Sequence, residues 1–82
     1  MEIKGYKPSQ HFLANLQSKR HEIKLEWVER TLEAPDHEET ATSFEKRLWK
    51  RIPEFGDRYL RVVINPTTKT IITAFFDRGF KK

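Results

Sequence analysis

Apolar and polar positions alternate with period two across much of the second half of this chain. Phe44, Leu48 and Ile52 share one parity. So do Leu60, Val62 and Ile64, and then Ile72, Ala74 and Phe76. Period two is the repeat of a strand with one buried face, so the pattern predicts strands over residues 44–52, 58–64 and 70–77. Pro53-Glu54-Phe55-Gly56-Asp57 and Asn65-Pro66-Thr67-Thr68-Lys69 separate them and have the composition of turns. Three strands in succession with short connections predict an antiparallel meander. His37 to Thr42 is polar throughout and reads as either an edge strand or a loop, and Met1 to Tyr6 as a short edge strand.

Helical spacing holds in the first half. Ser9 follows Pro8 and can accept hydrogen bonds from the free amides of a first turn. Phe12, Leu13 and Leu16 then form a stripe, and this helix should end near Lys19-Arg20-His21. Leu25, Val28 and Leu32 recur at i, i+3 and i+7, with Glu26, Glu29 and Glu33 outside. Ala34-Pro35 stops that helix, because proline disfavours a helical residue before it. The expected architecture is α+β: two N-terminal helices packed on one face of a three- to four-stranded antiparallel sheet. Phe12, Leu16, Val28 and Leu32 should cover the apolar parity set.

The other parity set is different in kind. It carries Arg47, Trp49 and Arg51, then Tyr59, Arg61 and Val63, then Ile71, Thr73, Phe75 and Asp77. Arginine forks match phosphate oxygens and aromatic rings stack unpaired bases. The same residues also suit a protein interface, or an ordinary solvated face whose long stems cover aromatics.

Length and composition narrow the classes. Eighty-two residues make one domain, 1–82. There is no cysteine, which excludes disulfides, thiolate catalysis and a thiolate zinc site. No run approaches the ~20 apolar residues of a membrane span and the first residues lack a signal-peptide pattern, so a cytoplasmic protein without membrane association is expected. Charge is segregated: residues 1–21 carry +3, residues 22–45 carry −6 and residues 46–82 carry +7. That distribution points to a basic surface meeting a polyanion or an acidic partner.

Arg51-Ile52-Pro53-Glu54-Phe55-Gly56, Arg58-Tyr59-Leu60-Arg61-Val62-Val63, Asn65-Pro66 and Thr73-Ala74-Phe75-Phe76-Asp77-Arg78 resemble a family of small uncharacterised bacterial domains. Glu26-Trp27-Val28, Leu32-Glu33-Ala34-Pro35-Asp36 and His11-Phe12-Leu13 extend the likeness. That family is similar in fold to RelE/ParE-like and BrnT-type toxins. The resemblance implies a type II toxin acting as a metal-independent endoribonuclease, with RNA on the basic sheet face and with or without the ribosome. It also implies a cognate antitoxin whose acidic segment covers that face. The alternative is a non-catalytic module that binds RNA or protein. Where the family has a short turn after Arg20, this chain has His21-Glu22.

Metal-free RNA cleavage needs an acid/base near the 2′-hydroxyl and a cation on the developing phosphorane. His11 is the acid/base candidate, with Arg61, Asp77 and Arg78 completing the catalytic set. Arg20, Arg47, Trp49, Arg51, Tyr59, Thr73 and Phe75 are the RNA-binding candidates. His11 could equally be an exposed helix residue, and Asp77-Arg78 a structural ion pair at a strand end. His11, His21 and His37 do not share metal-ligand spacing, so neither a metal nor another cofactor is expected. No glycine-rich phosphate loop is present.

Overall fold

A computed structural model describes residues 2–17 and 23–80. In chain order the elements are β1 (Lys7–Pro8), α1 (Gln10–Gln17), α2 (Leu25–Glu33), β2 (His37–Thr42), β3 (Glu45–Ile52), a 3-10 turn (Pro53–Phe55), β4 (Arg58–Asn65) and β5 (Thr70–Phe76). The strands form one sheet in the order β1-β5-β4-β3-β2. Strands β2 to β5 pair antiparallel as successive neighbours, and β1 joins the far edge parallel to β5.

This corrects the expected two-helix, three- to four-stranded RelE-like arrangement. The chain is mostly sheet, five-stranded and mixed. Helix α2 lies against β3 and β4, while the shorter α1 touches β5. The segment 37–42 is a strand because its backbone finds a partner in β3, although all but His37 of its side chains are exposed. β1 escapes period analysis because it pairs just two residues, Lys7 with Thr70 and Pro8 with Ile71, across the length of the chain. Pro8 is tolerated there as an edge-strand residue.

The core lies between the sheet and the helices. It contains Phe12, Val28, Leu48, Ile52, Leu60, Val62, Ile64 and Ala74 as expected, with Leu16, Leu32 and Phe76 partly buried against it. Ile3, Ile23 and Trp27 join it. Trp27 meets Phe55 and Phe76 with ring centroids 5.8 and 5.9 Å away. Three expectations fail. Phe44 is 62% exposed, since Ser43 and Phe44 form the turn between β2 and β3. Leu25 is 39% exposed, because α2 is rotated to bury Trp27, Val28 and Thr31. Ile71, rather than Ile72, is fully buried.

The last difference has a local cause. Val63 pairs with Thr73 but Ile64 pairs with Ile71, so Ile72 is an extra residue in β5. Such a bulge interrupts alternation and returns the next residue to its own face. Ser9 fixes this point. Its backbone N–H donates to the Ile71 carbonyl at 3.0 Å and its hydroxyl donates to the Ile72 carbonyl at 2.8 Å. The same hydroxyl accepts from the Phe12 N–H at 3.0 Å, as expected of a helix N-cap. One side chain therefore ties the start of α1 to the bulge.

Turns bring the remaining strands into register. Gly56 and Asp57 both have positive φ (64° and 56°) at the entry to β4, a pairing suited to a tight hairpin turn. Asn65 Oδ1 accepts from the N–H groups of Thr67 and Thr68 at 3.0 and 3.2 Å, closing the β4–β5 turn.

Candidate nucleic-acid interface

Register places four residues in one row across the sheet, on the face away from the helices. His37 on β2 is opposite Trp49 on β3, Trp49 is opposite Arg61 on β4, and Arg61 is opposite Phe75 on β5. The Arg61 guanidinium lies 5.4 Å from the Trp49 ring centroid and 5.2 Å from that of Phe75. A cation so placed between two ring faces is attracted by both. The neighbouring row brings Arg47 opposite Val63, and Val63 opposite Thr73. Tyr59 is opposite Arg51.

Asp77 organises the end of this surface. Its N–H donates to the Tyr59 carbonyl at 2.9 Å. Its Oδ2 accepts from Trp49 Nε1 at 3.1 Å and lies 3.5 Å from Arg61 Nη1. Its Oδ1 accepts from the Gly79 N–H at 3.0 Å. Burial pushes the carboxyl up, but the hydrogen bonds from Trp49 and Gly79 and the Arg61 charge outweigh it and hold Asp77 below the ordinary aspartate range. Asp77 thus pairs with Arg61, where the sequence allows an Asp77-Arg78 ion pair as one of two readings, and Arg78 is exposed in the turn that follows.

The surface is not the open platform the alternation suggested. Trp49 is 4% exposed. The chain turns after β5 and lays Phe80 on it, rings nearly parallel (15°) and centroids 4.8 Å apart. Phe80 also meets Tyr59 edge-on at 4.8 Å and His37 at 5.4 Å. Sequence reading missed His37 and Phe80. A link between residues 37, 49 and 80 exists only through strand order, and neither residue stands in a local motif.

The basic positions are also less available than their number implied. Across the β2–β3 ladder Glu38 pairs with Lys46 at 3.1 Å and Glu39 with Arg47 at 3.7 Å, while Glu45 holds Arg47 at 2.8 Å. Asp36 lies 3.5 Å from Lys50, and Asp57 lies 3.1 Å from Arg51. The acidic block and the basic block of the sequence meet one another in the fold. Arg61 is paired as well, with Asp77, but it differs in one respect: its Nε is buried with no hydrogen-bond partner. A buried donor left unmade is costly, and this one belongs to a guanidinium that a second anion could engage through its other nitrogens.

The other candidates are not gathered here. His11 is exposed on α1, in the layer on the opposite side of the sheet from Arg61. Arg20 lies outside the described residues. No group of three or more His, Cys, Asp or Glu suited to a metal ion occurs among the described residues, and no helix there is long and apolar enough to cross a membrane. Comparison with family models, curated proteins and solved structures finds no match.

Proposed function

We propose that this chain binds single-stranded RNA on the β3–β5 face, with Arg61 as the central phosphate contact and Trp49, Tyr59 and Phe75 as apolar support. The observation that carries this reading is the row His37–Trp49–Arg61–Phe75. It places a cation between aromatic rings on the side of the sheet that the main core does not use. Rings stack bases regardless of sequence, and arginine supplies the charge. Fluorescence anisotropy with a labelled single-stranded oligoribonucleotide tests it. Wild type should bind, and Arg61→Ala should lose about 1.5–3 kcal/mol, the range for a hydrogen bond to a charged group. Equal binding by the two proteins would place the interface elsewhere.

Cleavage by a toxin held in check by an antitoxin is the second reading, and one observation favours it. His37, whose imidazole is a general acid/base group by residue type, shares the row with Arg61, its ring centroid 5.3 Å from that of the intervening Trp49. In this chemistry the 2′-hydroxyl loses its proton to a base as its oxygen bonds to phosphorus. The bond from phosphorus to the 5′-oxygen then breaks and an acid protonates that leaving group, giving a 2′,3′-cyclic phosphate. Arg61 would stabilise the phosphorane, and His37 takes the role expected of His11. Cyclic-phosphate ends formed by wild type and lost in His37→Ala would support cleavage. Intact RNA, with and without ribosomes, would leave binding alone.

A further inference from the structure

The turn after β5 makes two contacts of unlike chemistry with this face, three residues apart. Asp77 presents a carboxylate to Arg61 and to the Trp49 indole N–H, and Phe80 presents a flat ring to Trp49. An anion and a stacked ring joined by a short connection are also the parts of a nucleotide. We propose that Asp77–Phe80 is a built-in plug occupying the site of one RNA nucleotide. The carboxylate stands where a phosphate binds and the Phe80 ring stands where a base stacks.

The inference rests on the RNA-binding reading and adds that the site is occupied by the chain's own residues until RNA displaces them. Three features support the exchange. The Phe80 ring fills a three-sided aromatic cleft made by His37, Trp49 and Tyr59, and a base has the flat shape to take its place. The anionic contact is loose: one 3.5 Å approach to Nη1 leaves Arg61 Nε without a hydrogen bond. Carboxylates and phosphates can both engage a guanidinium with two oxygens, but the Asp77 carboxylate is held by Trp49 and Gly79 and reaches Arg61 once, so a phosphate free of those bonds would satisfy Arg61 better. Finally, few backbone hydrogen bonds hold the turn among the described residues, one of them running from the Gly79 N–H to Asp77 Oδ1 at 3.0 Å. Phe80 N–H makes a long 3.4 Å hydrogen bond to the Asp77 carbonyl, and Arg78 and Gly79 between them are exposed. Asp77 itself stays tied to Tyr59 through its N–H, which makes it the natural hinge.

The test compares wild type, Phe80→Ala and Phe80→Leu for binding to a single-stranded oligoribonucleotide and to a mononucleotide. Removing the plug should raise affinity for the oligonucleotide about tenfold, the lower part of the range for one stacked ring. The leucine variant retains apolar cover if the alanine variant fails to fold, and should bind more tightly than wild type as well. In wild type, nuclear Overhauser contacts between the Phe80 and Trp49 rings should vanish as RNA saturates the protein. Persistence of those contacts in the saturated complex, or weaker binding by the leucine variant, would overturn the plug while leaving RNA binding in place. Absence of RNA binding by wild type and both variants would instead overturn the binding reading. Displacement by the mononucleotide as well would place the recognition in a single nucleotide unit, and displacement by the oligonucleotide alone would place it in the connected strand.

Discussion

Ile71 and Ile72 provide a sharp physical test, since simple alternation and the bulged register assign their roles oppositely. Strict period two buries Ile72 with Ala74 and Phe76 and turns Ile71 outward. The bulge reverses this: Ile71 is 0% exposed in the core, while Ile72 is half-buried. Truncating a fully buried isoleucine to alanine costs about 2–5 kcal/mol, from lost transfer energy and the cavity left behind. Ile72→Ala should cost less than about 1 kcal/mol, mostly lost strand preference. A domain of this length has a total stability of about 4–12 kcal/mol, so Ile71→Ala consumes a large part and could prevent folding. Ile71→Val is the safer partner, with an expected cost of about 0.5–1.5 kcal/mol. Urea denaturation followed by tryptophan fluorescence would give each value, and an unchanged m would show that the folded and unfolded states keep their extents. Greater loss from Ile72→Ala than from Ile71→Ala would refute the bulge and the pairing of Thr70 and Ile71 that depends on it.

Other perturbations separate the contributions of the cap, the carboxylate and the central arginine. Ser9→Ala should cost about 1–2 kcal/mol in the same assay, because it removes the α1 cap and leaves the Ile72 carbonyl without its donor; a neutral result would mean that the bulge does not depend on Ser9. Asp77 has its folded pKa below the ordinary value, so its stabilisation is complete above the ordinary aspartate range and is lost as pH falls through the lowered value. Stability of Asp77→Asn should therefore show a shallower acid limb than wild type below about pH 4, and identical limbs would refute a folded-state role for its charge. Arg61→Ala should also reduce the slope of log affinity against log salt by about 0.7, the single-strand contribution of one phosphate contact. An unchanged slope would mean that Arg61 does not meet a phosphate.

What could be read from sequence depended on how local the deciding interaction was. The faces of β3 and β4 follow from residue parity, and Trp49, Arg61 and Phe75 do share one side. The bulge was illegible because no glycine or proline marks it and Ile71-Ile72 offers two equivalent apolar residues. The side chain that hydrogen-bonds at it is Ser9, 63 positions away from Ile72. In α2 the stripe through Leu25 competed with the one through Trp27, and contact with Phe55 and Phe76 decides for the latter. Charge segregation was visible, but its meaning depended on antiparallel pairing that sets Glu38 and Glu39 beside Lys46 and Arg47. The Phe80 contact with Trp49 arises from the return of the chain over the sheet, which no short-range pattern encodes.

The most direct measurement is a heteronuclear NMR titration of the full chain with a single-stranded oligoribonucleotide. It reports the Trp49 indole N–H, the Arg61 side chain and the amides of β2 to β5. RNA binding at the proposed face predicts that the largest shifts fall on Trp49, Tyr59, Arg61, Phe75 and Phe80, while α1 and α2 change little. Saturable shifts centred on the helices, or none on the Trp49–Arg61 row when RNA is in excess, would contradict it.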